Sequence, residues 1–215
     1  MASLAPQSQS AHPRLAATER RQQLVNVAID LFSRKGFNGT TTREIAAAAG
    51  VTEAIIFRHF KTKQQLYSAI VDQRLGSPDA TAWISGFQTA MKLNDDESVI
   101  RTLIEAVITT HKEDPKFERL MLYAALEGHE IGLLYMRQIT ASIADNLRGY
   151  VLRRQKAGKF QPMNPDIALI AITGMAKHYA LNKYIHSCAD PSIDDEQAVE
   201  SFTRIAMSGL CRKTK

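Results

Sequence analysis

The sequence predicts an all-α fold in two parts: an N-terminal three-helix unit containing a helix-turn-helix, and a larger helical domain behind it. Three observations lead there. Apolar residues recur at helical spacing from Thr18 almost to the end, and three helix-start signals crowd between Thr41 and Gln65. No stretch keeps the strict alternation of a half-buried strand.

The first helix opens near Thr18, where Leu24, Val27, Ala28, Leu31 and Phe32 fall at i, i+3, i+4, i+7 and i+8 and line one face. It ends at Gly36. The position just past a helix favours left-handed backbone, which glycine adopts without steric penalty, and Arg34 and Lys35 fill the cationic last turn. Phe37 is then placed to fold back onto the helix. Thr41 as N-cap, with Glu44 three residues on, makes a capping box for a short helix running through Ala49. Gly50 breaks it. Thr52 is the N-cap of the next segment, with Glu53 near its positive end, and that segment runs to Phe60. Thr62, with Gln65 at the capping-box position, opens a helix that carries Leu66, Ala69 and Ile70 on one face and reaches about Leu75.

Short helix, glycine-containing turn, short helix is the helix-turn-helix pattern, whose second helix lies in the DNA major groove while the first crosses the backbone. Ala46, Ala47, Ala48 and Ala49 let the helices approach closely, and Ile45, Val51, Ile56 and Phe60 supply a shared core. A plain helical corner has the same pattern, so spacing alone leaves both readings open.

Past Gly76-Ser77-Pro78 the helices lengthen, to roughly 79–92, 97–113, 116–127, 130–156, 165–187 and 193–211, with Pro115, Pro162, Pro165, Pro191, Gly128 and Gly158 marking breaks. The expected division is a flexible arm over 1–15, a helix-turn-helix domain over 16–75 and a helical domain over 76–215. Met1 to His12 contains no Lys, Arg, Asp or Glu and lacks the order of a signal peptide.

Charge separates the two domains. Residues 1–75 hold ten Lys and Arg against five acids, whereas residues 76–215 hold seventeen of each sign. All the net positive charge of +5 therefore sits in the first third, the footprint of a module that binds a polyanion. Ile167 to Leu181, the most apolar stretch, is interrupted by Lys177 and His178, so no membrane span and a cytoplasmic location are expected. Cys188 and Cys211 lack metal spacing and suit reduced thiols. Neither a metal site at His111, His129, His178 or His186 nor a cofactor is expected. No nucleophile elbow or phosphate loop is present, so no catalytic residues are assigned.

The segment from Gly39 to Leu66, which carries TTTREIAAAAGVTEAIIFRHFKTKQQL, resembles the N-terminal domain of the TetR (tetracycline repressor) family of bacterial regulators. The likeness rests on Thr41-Thr42, Ile45-Ala46, Ala49-Gly50-Val51, Thr52, Phe57, His59-Phe60, Lys63 and Leu66, and extends over about Ala17 to Leu75. The resemblance implies that Thr42, Phe57, His59 and Lys63 face phosphates, that Arg43, Glu53, Ala54, Ile55 and Arg58 lie near base edges, and that Thr52 also belongs to the DNA-binding set. Chemistry agrees with much of this. Lys63 releases counterions, Arg43 suits guanine, Glu53 suits cytosine N4, and Ala54 and Ile55 suit thymine methyls. Other readings stay open: Glu53 as a complement to the helix dipole, Arg58 as a solvated charge, Ile55 as core. Where the family often has tyrosine, Phe57 lacks the hydroxyl, removing a hydrogen bond worth about 1 kcal/mol. Arg14, Arg20 and Arg21 are positioned to compensate.

The resemblance further implies that the last two long helices pair with a second copy as a four-helix bundle. The expected interface is Ile170, Gly174, His178, Phe202, Ile205 and Leu210, flanked by Ile167 and Ala171. A homodimer reading a palindromic double-stranded operator follows. Trp83, Phe87, Met91, Phe117, Met121, Tyr123, Tyr135, Met136, Met175 and Tyr179 are the expected lining of a pocket for a small apolar or amphipathic effector, although any helical core contains such residues. The function implied is that of a ligand-responsive regulator, a repressor in sign. An architectural DNA binder without an effector is the alternative.

Overall fold

The computed structural model describes residues 16–75, 78–190 and 192–212; within these, the side chains of residues 75, 78–85, 131, 135, 136, 138–140 and 142 are not described. The expected arm over 1–15 lies outside the described residues. Among the described residues ten α-helices follow in order: α1 Ala17–Lys35, α2 Thr42–Ala48, α3 Glu53–His59, α4 Lys63–Leu75, α5 Pro78–Leu93, α6 Asp96–Glu113, α7 Pro115–Glu127, α8 Glu130–Lys156, α9 Pro165–Ala180 and α10 Asp195–Leu210. No helix among the described residues is long and apolar enough to cross a membrane.

The first of the capping boxes forms as read, and the other two start signals form in part. The Thr41 side chain accepts from the Glu44 backbone N–H at 3.2 Å while the Glu44 carboxylate accepts from the Thr41 N–H at 2.8 Å, a complete capping box. Lys35, 2.6 Å from Glu44, and the Thr41 bonds hold that carboxyl down to about 2. Thr62 accepts from the Gln65 N–H at 3.1 Å, but the Gln65 side chain reaches back to the N–H of Lys61 instead of that of Thr62. Thr52 has the extended backbone of an N-cap without its side-chain hydrogen bond, so its hydroxyl stays exposed.

Two apolar cores result. The N-terminal core joins Leu24, Val25, Ala28 and Phe32 of α1 to Ile45, Ile56, Phe60, Leu66 and Ile70, with Val51 packed against it. Phe37 does fold back, its ring centroid 5.6 Å from that of Phe32. This core also takes in Phe117, Leu120 and Met121 of α7. The second core is built by α5, α6, α8, α9 and α10 around Ile100, Leu103, Ile104, Tyr150, Phe160 and Ile172.

One helix differs from its reading. The expected helix over 165–187 keeps α-geometry only to Ala180 and then widens into a π-helical turn, Leu181–Ile185. The wider turn carries Lys183 and Tyr184 to Asp195 at the start of α10: the Lys183 ammonium donates at 2.9 Å, the Tyr184 hydroxyl at 2.7 Å and Tyr179 at 3.0 Å. Burial alone would raise the Asp195 carboxyl, but bonds from Lys112, Tyr184, Lys183 and Tyr179 outweigh it and hold the group far below the usual carboxylate range.

Candidate nucleic-acid interface

The helix-turn-helix sorts its residues by burial. Ile45 and Ile56 are fully inside, gripping α2 against α3, while Gly50 at φ +67° makes the turn between them without a side chain to strain. Gln23 on α1 donates to the Ala49 carbonyl at 3.2 Å and fixes the end of α2. Of the expected DNA-binding residues, Arg43, Thr52, Ala54, Phe57 and Arg58 are outward. Phe57 is 47% exposed, a large ring left about half in water.

Several expected residues are half-buried and already engaged. The Thr42 hydroxyl donates to the Glu53 carboxylate at 2.6 Å, pinning the first turn of α2 to the first turn of α3. A hydroxyl has one proton, so Thr42 can serve a phosphate as donor only by releasing Glu53. Lys63 lies under the turn before α2: its ammonium donates to the carbonyls of Phe37 at 2.7 Å and Thr40 at 2.8 Å, and sits 4.1 Å from the centroid of the Phe37 ring. Two of its three N–H donors are thus committed to the fold. Burial pulls its pKa down, against the opposing charge of Glu127. Ile55 is half-buried, between its two readings.

His59 closes α3 with its Nε2 buried and without a hydrogen-bond partner. Burial, with Arg58, Arg20 and Arg21 nearby, holds its imidazole below the usual range. Arg21 lies 4.9 Å over the Phe60 ring. The start of α1 and the end of α3 therefore form one basic patch. Burial likewise lowers His129, whose ring lies 4.2 Å from Phe37 and 4.4 Å from Tyr67, with Lys63 adding to burial and Glu127 and Glu130 opposing it.

Because both histidines bind protons less readily when folded, the unfolded chain takes them up first, near its value of about 6.5. Their contribution to stability is complete above that pH and declines as pH falls through it. We expect the melting temperature to drop between about pH 7.5 and 5.5, and to drop less in the His59→Gln, His129→Gln double variant. Equal drops in the two proteins would refute this.

The expected effector lining does not come together. Phe87 and Met91 lie in the second core with Met175 and Tyr179 packed against it, but Phe117 and Met121 belong to the N-terminal core, because α7 packs on α1. Tyr123 donates its hydroxyl to the Arg34 carbonyl at 2.9 Å, again toward α1. The side chains of Trp83, Tyr135 and Met136 lie outside the described residues. An open polar cleft of about 420 Å³ instead lies between α6 and α10, lined by Glu97, Arg101, Glu200, Thr203, Arg204 and Met207. Sequence reading missed it, since it joins residues about a hundred positions apart. Among the described residues no group of three His, Cys, Asp or Glu side chains is gathered to hold a metal ion.

Of the expected dimer face, Ile170 is 69% and Ile205 53% exposed, and Gly174 and His178 are exposed beside them. Phe202 is partly buried, edge-on to Tyr179 with ring centroids 6.0 Å apart. Leu210 is corrected: at 3% exposure it faces the chain's own core, on the opposite side of α10 from Ile205.

A tight pair of short helices with an outward Arg43, Phe57 and Arg58, set in a basic N-terminal unit, defines a helix-turn-helix DNA-binding protein. Residues 24–70 match the family model of bacterial regulatory proteins, tetR family. Over most of its length the chain is similar to the HTH-type transcriptional regulator RutR of Escherichia coli (strain K12), with 24% identity over 91% of this chain and 92% of RutR. It is also similar to the HTH-type transcriptional activator FasR of Mycolicibacterium smegmatis, with 25% identity over 92% of this chain and 85% of FasR. The solved structure of HlyIIR, a hemolysin II transcriptional regulator, shares the fold with a TM-score of 0.64 at 19% identity, covering 92% of this chain and 100% of that one. Residues 24–70 thus carry the N-terminal unit of the tetR family of bacterial regulatory proteins, and over most of its length the chain is similar to helix-turn-helix transcriptional regulators.

Proposed function

We propose that this regulator acts as a homodimer on a palindromic operator, that residues 16–75 read the DNA and 76–215 dimerise and sense, and that a small apolar or amphipathic effector releases it. The observation that carries the reading is the outward set on α2 and α3. Arg43 and Arg58 supply charge and guanine-type donors, while Ala54 and Phe57 supply apolar contact, and all four are exposed. A single such face covers one half-site, and two related by a two-fold axis cover half-sites about 34 Å apart. Repression is the proposed sign, by occupation of a promoter. Phe87, Met91, Met175 and Tyr179 in the second core support an apolar effector, which acts by binding one domain arrangement better than the other. Coupling of this kind changes DNA affinity by about 5–150-fold.

The test is selection of duplexes from a random-sequence pool by the purified protein at about 0.15 M salt, followed by titration of the enriched duplex with excess random competitor. Enrichment of a palindrome bound saturably by two copies is the expected result, and Arg43→Ala should weaken the enriched site by about 10–100-fold while hardly changing random DNA. Equal binding to enriched and random duplexes would mean an architectural DNA binder instead.

A further inference from the structure

The turn between α1 and α2 is held from two sides by residues far from it in sequence. From α7, the Glu127 carboxylate accepts the backbone N–H groups of Phe37 at 3.0 Å and Asn38 at 3.3 Å, and the Tyr123 hydroxyl caps the Arg34 carbonyl. From α4, Lys63 takes the carbonyls of Phe37 and Thr40. The Phe37 residue is thus bound at its N–H by an anion and at its carbonyl by a cation, which makes both charge-assisted. The approach of α7 is so close that a Cβ added to Gly36, which has φ +72°, would lie 2.1 Å from the Glu127 Oε1. The Thr40 hydroxyl, fully buried, donates back to the Gly36 carbonyl at 2.9 Å and closes the turn on itself. The next residue is Thr41, the N-cap of α2, followed at once by Thr42 and Arg43.

We infer that Glu127 and Tyr123 are positioning residues for DNA binding: a latch by which the helical domain sets the orientation of α2 through the α1–α2 turn. This rests on the reading of α2 and α3 as the DNA-facing helices. α7 ends at the latch. Directly after it, Gly128 adopts left-handed backbone and the His129 ring packs onto Phe37 and Tyr67, so a shift where α7 meets α8 is felt at once by the turn. With the latch closed, Arg43 is held at a fixed height above the groove. With it open, the turn loses its bonds from α7 and keeps Lys63 and the Thr40–Gly36 closure, so the start of α2 is held less firmly while its core contacts remain.

The sign of the effect separates this from bulk electrostatics. Removing a carboxylate from a DNA-binding protein lessens repulsion of phosphates and by itself tightens binding, whereas loss of the latch weakens it. The experiment compares the full-length chain with Glu127→Ala and Tyr123→Phe, using the palindromic duplex obtained by selection, a random duplex, and amide hydrogen exchange read residue by residue. For Glu127→Ala we expect the Phe37 and Asn38 amides to exchange about 10–100-fold faster and the selected duplex to be bound about 10–100-fold more weakly, with random DNA bound as well as before or slightly better. Tyr123→Phe, which keeps the ring and its packing, should give a smaller loss of about 2–10-fold and keeps the test alive if the first variant folds poorly. Unchanged protection of the two amides overturns the latch. Lost protection with affinity retained overturns its role in DNA binding, as does an equal loss on random DNA. A wild-type chain that selects no duplex overturns the DNA reading itself, before any variant is compared.

Discussion

Asp96→Ala is expected to lower stability by about 3–5 kcal/mol and the melting temperature by roughly 6–20 °C. Asp96 opens α6 and receives both edges of the Arg154 guanidinium, Nε and Nη2 each at 2.7 Å, together with the hydroxyl of fully buried Tyr150. The carboxylate and guanidinium are only 15% and 14% exposed, so this is an ion pair removed from water and satisfied by its own geometry. Burial and the Asp96 charge push the Tyr150 hydroxyl well above its usual range, so it remains a donor at any ordinary pH. Truncating Asp96 strands Arg154 as an uncompensated charge beside Tyr150 and unties the start of α6 from the end of α8. The larger cost comes from the stranded charge, not from the lost attraction. Tyr150→Phe, which removes one hydroxyl and leaves the pair intact, should cost only about 1–2 kcal/mol. Thermal unfolding at one fixed protein concentration, needed because assembly stabilises a dimer by mass action, measures both. A shift under about 2 °C for Asp96→Ala would show that the pair is solvated and structurally idle.

The Asp96 knot also shows what a sequence conveys and what it does not. Asp96 lies just before the expected helix over 97–113 and carried no signal of its own, because its partners stand 54 and 58 residues away. By contrast the Thr41–Glu44 box, the glycine stop at Gly36 and the helical stripe of α1 are local devices whose partners lie close by in sequence, and the helices they announce are present. The outward face of α2 and α3 was legible for the same reason: once Ile45 and Ile56 are inward, helical geometry decides where Arg43, Phe57 and Arg58 point. Lys63 shows the limit of this. Its charge and place in the motif suggest a phosphate ligand, but only the fold discloses that two main-chain carbonyls already hold it. Glu127 gave no signal at all, since a glutamate at a helix end before glycine is ordinary. For the effector lining, hydrophobicity says that Phe117 and Met121 are buried without saying against what. They serve α1, not the interior of the helical domain. The widened turn at Leu181–Ile185 was hidden likewise, because its purpose, delivery of Lys183 and Tyr184 to Asp195, depends on a residue in the next helix.

Ile170→Glu combined with Ile205→Glu is expected to convert the proposed dimer into a monomer and to abolish tight binding of the proposed palindrome. Along α9, Ile167, Ile170, Ala171, Gly174 and His178 fall at i, i+3, i+4, i+7 and i+11 and are all exposed, with Ile167 at 64% and Ile170 at 69%. Ile205 at 53% and exposed Gly209 continue that surface on α10. The glycines are the telling part. A Cβ added at Gly174 or Gly209 would meet nothing within 4 Å, so the chain's own packing gives no reason for them. Glycine inside a helix costs about 0.5–1 kcal/mol relative to alanine. Close approach of a helix from a second copy supplies the missing reason, since small residues let backbones come near. In a two-fold interface every residue is used twice, so each isoleucine is buried in two places and each glutamate introduced stands near its symmetry mate. Burial of an isoleucine contributes about 1.5–3 kcal/mol, and two lost copies per substitution raise the dimer dissociation constant by about 10²–10⁴-fold even before charge repulsion is added. Sedimentation over a range of concentrations reads the mass directly. Because both changes lie on an exposed face away from α2 and α3, the variant should melt as a folded monomer and still bind an isolated half-site weakly. A wild type that sediments as a monomer at micromolar concentration, or a double variant that remains dimeric, would place the dimer elsewhere and leave Gly174 and Gly209 without a role.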